Sequence, residues 1–285
     1  MNTTAKSYSA SFQLGKPLDG AGIGQVVESR REGFLPGDIV SINTTWTEYA
    51  VLPAKVGAFK IVNPLNVPLE YFLGPLGMVG ATAYHGLLNI GQPKEGNTVF
   101  VSGAAGAVGL LVGQIAKLKG CRVVGSAGSD IKVKALVEEF GYDAAFNYKS
   151  VTSWPETFKE HFPKGIDVYY DNVGGIQLDT TLLFMNPRGR LVECGMISQY
   201  NGKGPGLQNL IQVVGRQLKI EGFIIAAQMA DREFMKKFLT DMLTWIKEGK
   251  VKYAVNVVDG IENAPLGFVS MLKGGEKLGK QVVKV

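Results

Sequence analysis

The chain has 285 residues, enough for one large or two ordinary domains, and its 46% hydrophobic against 19% charged content describes an ordered, globular sequence and excludes a disordered one. The net charge of +5 is spread along the chain; its densest basic part, with Lys236, Lys237, Lys247 and Lys250 on one helical pattern, lacks the basic or aromatic clustering of a nucleic-acid surface. Two cysteines (Cys121, Cys194) and two histidines (His85, His161) form neither a disulfide framework nor a zinc ligand set, and no apolar run has membrane-spanning length, so the expectation is a cytoplasmic, metal-free protein in a reducing compartment.

In chain order, residues 1–20 are polar and turn-rich, and a peripheral segment is expected there. Strand signals follow at 22–28, at 34–41 after a Pro36-Gly37 turn, and at 44–51, a β-rich opening without helix. Residues 69–88 carry helical periodicity broken by Gly74-Pro75 and Gly77, which predicts a short helix, a kink and a second helix over 81–88. From Asn97 the pattern alternates. Strands are predicted at 98–101, 122–126, 144–147, 166–171, 189–194 and 218–224, and helices at 108–119, 131–140, 154–161 and 177–183. Such alternation implies a parallel sheet covered on both faces. Residues 232–249 form the clearest amphipathic helix, with Phe234, Phe238, Met242, Trp245 and Ile246 on one face and Gly249 as its stop. The chain ends as strand (255–258), helix (261–272), Gly274-Gly275 turn and strand (281–285). A last strand returning to the first domain would leave a cleft between two domains.

The run Thr98-Val-Phe-Val-Ser-Gly-Ala-Ala-Gly-Ala-Val-Gly109 organises this pattern: strand, glycine turn, helix, with a second strand after. That is the phosphate-binding half of a dinucleotide fold. A pyrophosphate sits against main-chain amides at a helix N-terminus, and side chains at Gly106 or Gly109 would block that approach. Ala104 stands where the first fingerprint glycine belongs. From the loop alone, a tight turn in another α/β fold is the alternative. At the end of the second strand, Ser126-Ala-Gly-Ser129 has no acidic residue to meet an adenosine ribose, and Lys132 follows one turn in. Ser126, Gly128 and Lys132 suit a 2′-phosphate, which selects NADP(H) over NAD(H); an ordinary surface lysine is the alternative for Lys132. Tyr148 closes the third strand and Asn172 the fourth. The segment Cys194, Gly195, Met196, Ile197, Ser198 closes the fifth, and Tyr200 is the hydroxyl expected near the reacting centre.

Taken together, SGAAGAVG, VGSAGS with Lys132, FNYK, YYDNVGG and GMISQYN resemble the zinc-independent medium-chain dehydrogenase/reductases. Within them the pattern is similar to the NADP-dependent alkenal/one reductases: prostaglandin reductases, plant alkenal double-bond reductases and bacterial curcumin reductases. LDGAGIGQVVES and LGKQVVKV match as well, so the resemblance covers residues 12–285. It implies an α/β protein: a Rossmann doubly wound parallel sheet over 79–250, a smaller GroES-like β domain over 1–78, and a C-terminal return to it over 251–285. It implies that NADPH delivers hydride to the β-carbon of an α,β-unsaturated aldehyde or ketone, with protonation at the α-carbon. The cofactor would be held by Gly106, Ala107, Val108 and Gly109, by Lys132 and Tyr148 at the 2′-phosphate, by Asn172 and residues 194–200, and by Phe223, Ile224 and Ile225 on the nicotinamide side. Tyr200 would be hydrogen-bond donor or proton relay, and the protein a homodimer.

Two departures accompany the resemblance. Family members carry several tens of residues before the point matching Met1, so the β domain is expected to be N-terminally shortened, with exposed edges and apolar surface. Lys277 stands where relatives often have a cofactor-contacting asparagine, and that contact is not carried over. His85, in Thr82-Ala-Tyr-His-Gly86, reads as a packed or solvent-facing helix histidine before a proton donor. Quinone reduction, and cofactor binding without catalysis, are the rival functions.

Overall fold

Six apolar strands separated by helices assemble into one parallel sheet in the computed structural model, which describes residues 12–53, 56–200, 204 and 206–285. The expectation for residues 1–20 lies largely outside the described residues. The strands are β4 (Thr98–Val101), β5 (Arg122–Ala127), β6 (Ala144–Asn147), β7 (Ile166–Asp171), β8 (Met185–Glu193) and β9 (Lys219–Gly222), in the order β6-β5-β4-β7-β8-β9. This is the doubly wound order, and the direction of winding reverses between β4 and β7.

Both faces are covered, as continuous apolar strands require. On one face lie α1 (Met78–His85), α2 (Ala107–Leu118) and α8 (Arg232–Lys247), around Leu87, Leu110, Ile115, Tyr170 and Phe238. On the other lie α4 (Trp154–His161) and α5 (Gly175–Phe184), around Phe158, Leu178 and Leu182. There Phe100 stacks on Tyr169 with ring centroids 4.8 Å apart. α3 (Asp130–Glu138) joins β5 to β6, and the short helices α6 (Gln212–Gly215) and α7 (Ala226–Ala230) flank β9. α8 ends with Gly249 in the left-handed conformation one residue past its C-cap, the role its position predicts.

Ahead of this sheet, β1 (Asp19–Gln25), β2 (Ile39–Thr45) and β3 (Ala58–Lys60) form a small antiparallel sheet. Its surface exposes Val27, Tyr49, Val51, Phe59 and Val62. After it, β10 (Val255–Asp259), α9 (Ala264–Leu272) and β11 (Lys280–Lys284) make a parallel two-stranded unit. β11 pairs with β10, while α9 reaches the N-terminal segment through Phe268, whose ring meets Trp46 at 5.7 Å and Phe12 at 6.4 Å.

Several boundaries differ from expectation for physical reasons. β1 begins at Asp19 because Asp19 pairs with Thr45 at the far end of β2, while the Gly37 turn, at φ +92°, closes the hairpin through Gly37 N to Val26 O. Residues 46–51 are not a strand: Trp46 turns to Phe268, while Tyr49 and Val51 lie in solvent. β8 starts four residues early, since Met185 pairs with Ile166 before an irregularity that the turn-like Asn-Pro-Arg-Gly sequence creates. The helix expected over 81–88 is α1, followed by a π-helical turn over Gly86–Gly91 that extends into the expected 91–96 loop.

Candidate functional site

The winding reversal leaves the carboxyl ends of β4 and β7 side by side, and the glycine loop lies there. Gly103 takes φ +59°, so the tight turn is made one residue before the substituted fingerprint position. Ala104 is tolerated because its neighbour is Gly125, where a Cβ would lie 2.7 Å from the Ala104 methyl. Ala104 N donates to Ser126 O, and Gly279 N donates to Ala105 O, so β5 and the C-terminal segment hold the loop from two sides.

Gly106 is the N-cap of α2 and supplies no side-chain cap. The first-turn amides of Ala107, Val108 and Gly109 therefore face outward without an intrahelical acceptor, the arrangement that receives phosphate oxygens. Gly109 is fixed by packing: a Cβ there would meet Gly103 O at 2.6 Å and Ala104 Cα at 2.7 Å. A dinucleotide pyrophosphate fits this cradle on the strength of the uncapped amides and the missing Cβ atoms.

At the end of β5, Ser129 caps α3 by accepting from Lys132 N, and Asp130 accepts from Asn147 Nδ2 at 2.9 Å. The Lys132 ammonium donates to Gly275 O at 2.5 Å. A Cβ at Gly128 would lie 3.0 Å from the Tyr148 hydroxyl, so these two residues touch. Burial, and then the charge of Lys149, hold Lys132 below the usual ammonium range, with Glu276 opposing. The Lys149 charge repels Lys132, and an anion bound at Lys132 would offset that repulsion. Ser126 is fully buried and its hydroxyl donates to Gln177 Oε1 at 2.6 Å, so it supports the end of β5 from below.

Beyond β7, Asp171 is buried and accepts from Ser102 Oγ (2.6 Å), Tyr169 OH (2.7 Å), Val173 N (2.8 Å) and Gly174 N (2.9 Å). Burial pushes its carboxyl up; the four donors pull it back without cancelling the rise. Asn172 is held by its own N–H to Ser102 Oγ and by its amide to Ser102 O at 2.8 Å. Cys194 N and Gly195 N bond to Asp171 O, Ile197 N to Asn172 O, and Ser198 Oγ to Val173 O, so the segment from Cys194 to Ser198 folds over the end of β7. Met196 packs against Gly174. The Tyr200 hydroxyl stands 3.6 Å from the Cβ position of Gly195.

On the far side of the sheet, Phe223 follows β9 and lies against His85, with ring centroids 5.4 Å apart. Ile225 is buried and Ile224 exposed. The structure thus brings the glycine loop, Asn172 and the 194–200 segment to one sheet edge, with Gly128, Lys132 and Tyr148 beyond β5. Sequence reasoning missed Ser102, Asp171 and Lys149. An aspartate ending an otherwise apolar buried strand is the signal that could have found the Ser102–Asp171 pair.

Fold and loop together define a dinucleotide-dependent oxidoreductase of the medium-chain dehydrogenase/reductase class. Family models for a zinc-binding dehydrogenase match residues 107–244 and for the N-terminal domain of an oxidoreductase residues 1–61. The chain is 45% identical over 280 residues to a 2-alkenal reductase (NADP(+)-dependent) of Nicotiana tabacum, spanning 98% of this chain and 80% of that protein. It is 45% identical over 273 residues to prostaglandin reductase 1 of Mus musculus, covering 95% and 82%. The crystal structure of CurA from Vibrio vulnificus in complex with NADPH superposes with a TM-score of 0.91 at 36% identity, covering 99% of this chain and 84% of that one. The chain belongs to the zinc-binding dehydrogenase family and, within it, stands with these double-bond reductases. Among the described residues no three His, Cys, Asp or Glu side chains gather as a metal site. Cys121 and Cys194 are free thiols and His161 bonds to Thr157 O on α4, so the residues present do not fit the zinc of the family description. No described helix is long and apolar enough to cross a membrane.

Proposed function

We propose that this chain reduces the carbon–carbon double bond of α,β-unsaturated aldehydes and ketones with NADPH. The observation that carries the cofactor assignment is Lys132 in the first turn of α3, after a β5 end whose Gly128 touches the Tyr148 hydroxyl and where an NAD-type site carries a carboxylate. The substrate class follows the 45% identical 2-alkenal reductase and prostaglandin reductase. Bound in this cradle, the nicotinamide supplies the hydride; the chain's own residues bind, orient and manage a proton. The amides of Ala107, Val108 and Gly109 hold the pyrophosphate, Gly128, Lys132 and Tyr148 the 2′-phosphate, and Asn172 and residues 194–198 the ribose and carboxamide. Phe223, Ile224 and Ile225 line the nicotinamide side. Tyr200 donates a hydrogen bond to the nicotinamide ribose or to the enolate oxygen, or relays the proton that ends on the α-carbon.

In this reading residues 1–78 form the substrate domain, 79–250 the cofactor domain and 251–285 the return. A homodimer is supported by β9 being an edge strand beside exposed Leu210, Ile211 and Val214. Two free thiols agree with a reducing, cytoplasmic setting. The test is NADPH oxidation against a panel of enals, enones and quinones: turnover confined to quinones, or none despite NADPH binding, rejects the assignment.

A further inference from the structure

His85 ends α1, and the chain passes directly into the π-helical turn Gly86–Gly91, a geometry found mostly at functional positions. Its ring is buried between two aromatic rings, Phe223 at 5.4 Å and Phe234 at 5.6 Å. Asn89 Nδ2 lies 3.1 Å from Nδ1. With the imidazole neutral and its proton on Nε2, Nδ1 accepts from the Asn89 amide nitrogen, which only donates. Phe223 is confined from the next residue too: a Cβ on Gly86 would lie 2.9 Å from the Phe223 ring and 2.7 Å from the Tyr170 hydroxyl. That hydroxyl is itself fixed by donation to Thr82 O at 2.9 Å. The Phe223 ring therefore has an imidazole on one side and bare backbone on another.

We propose that His85 is a positioning residue, a neutral imidazole that sets the Phe223 ring and through it the nicotinamide side of the site. This rests on the reading that Phe223 lines the nicotinamide. Protonation would place a cation between two phenylalanines and turn Nδ1 into a donor facing the Asn89 amide. The groups around the ring are Asn89 on the π-helical turn, Phe234 on α8, Tyr170 on β7, Phe223, and Glu221 on β9, whose carboxylate is paired with Lys219 at 2.6 Å. Burial holds the imidazole below the usual histidine range against the pull of Glu221. The neutral arrangement is complete above about pH 6.5, the unperturbed value, and is lost as pH falls through the lower folded value.

The test compares His85→Phe and His85→Ala with the unaltered chain, reading kcat for an enal at saturating NADPH from pH 7.5 down to the lowest pH at which the unaltered enzyme stays folded. The 2′-phosphate titrates in the same range, so the quantity read is the ratio of variant to unaltered enzyme. His85→Phe keeps a ring beside Phe223 that does not titrate, and its ratio rises as pH falls. His85→Ala leaves Phe223 unsupported and lowers kcat by about 10- to 100-fold at neutral pH, of which His85→Phe recovers about tenfold. A pH-independent His85→Phe ratio, or equal kcat for the two variants, overturns the proposal. If the unaltered enzyme binds NADPH but reduces no enal or enone, the proposed function fails separately. NADPH affinity then replaces kcat in the same ratio series, and a flat series overturns the role of His85.

Discussion

Glu193 ends β8 with Asp171 opposite it on β7 and Gly222 on β9. Both of its carboxyl oxygens are buried without a hydrogen-bond partner. Burial first, and the Asp171 charge second, push its carboxyl from 4.5 up to about 8. The folded chain therefore keeps a proton that the unfolded chain releases. Between pH 4.5 and 8 the folded state binds the extra proton, so this group makes stability fall as pH rises, and the loss levels off above the folded value. At about 1.4 kcal/mol per tenfold difference in proton affinity, the full loss is on the order of 5 kcal/mol, a third or more of a typical domain's stability. Glu193→Gln keeps the shape and removes the titration. Unfolding by urea, followed by circular dichroism at pH 5, 7 and 9, should give nearly equal stabilities for the two proteins at pH 5. At pH 9 the variant should be more stable by several kcal/mol, on the order of the loss worked above. Asp171 titrates in both proteins and is coupled to Glu193, so the difference reads Glu193 together with its effect on Asp171. A stability difference that does not change with pH would refute the reasoning.

Gly109→Ala forces a methyl onto backbone atoms of Gly103 and Ala104, so α2 must back away from β4; about 1–3 kcal/mol of stability and at least tenfold in NADPH affinity should be lost, read by thermal melting and fluorescence titration. Lys132→Ala removes one charge-assisted contact to the 2′-phosphate and should weaken NADPH binding by about 10- to 100-fold while leaving NADH within about threefold, measured as two KM values. Ser102→Ala leaves the buried Asp171 carboxyl one donor short and removes the acceptor of the Asn172 N–H, while the Asn172 side chain keeps its bond to the carbonyl of residue 102; it should lower stability by about 1–3 kcal/mol in urea unfolding. Tyr200→Phe should lower kcat by about tenfold with the NADPH dissociation constant unchanged, a split that stopped-flow binding and steady-state rates separate.

The parallel sheet was visible in the sequence because each strand is a short apolar run bounded by glycine or a polar turn, and each helix repeats its apolar face. The glycine loop was visible because backbone approach leaves no alternative to glycine at Gly109. Other features depend on distant partners. The three residues of β3 are too few to show alternation, and β3 exists only by pairing with β2. β8 was shortened because Asn-Pro-Arg-Gly has turn chemistry, yet Met185 still pairs across it. At the candidate site, Lys132 and Tyr148 stood out by position, but Lys149 emerged only through its charge on Lys132. Ser126 has the right residue type at the right strand end, yet its hydroxyl is spent on Gln177, 51 positions away. The contact between His85 and Phe223 joins α1 to the end of β9, which no local pattern encodes.

The central claim is NADPH-dependent reduction of an activated alkene, and initial rates of cofactor oxidation with a medium-chain enal test it most directly, NADPH and NADH being run in parallel. The account predicts saturable turnover with NADPH, at least tenfold above NADH in kcat/KM, and a saturated aldehyde as product. Equal rates with both cofactors would contradict the 2′-phosphate site at Lys132, and NADPH binding without consumption of the enal would contradict the reductase itself.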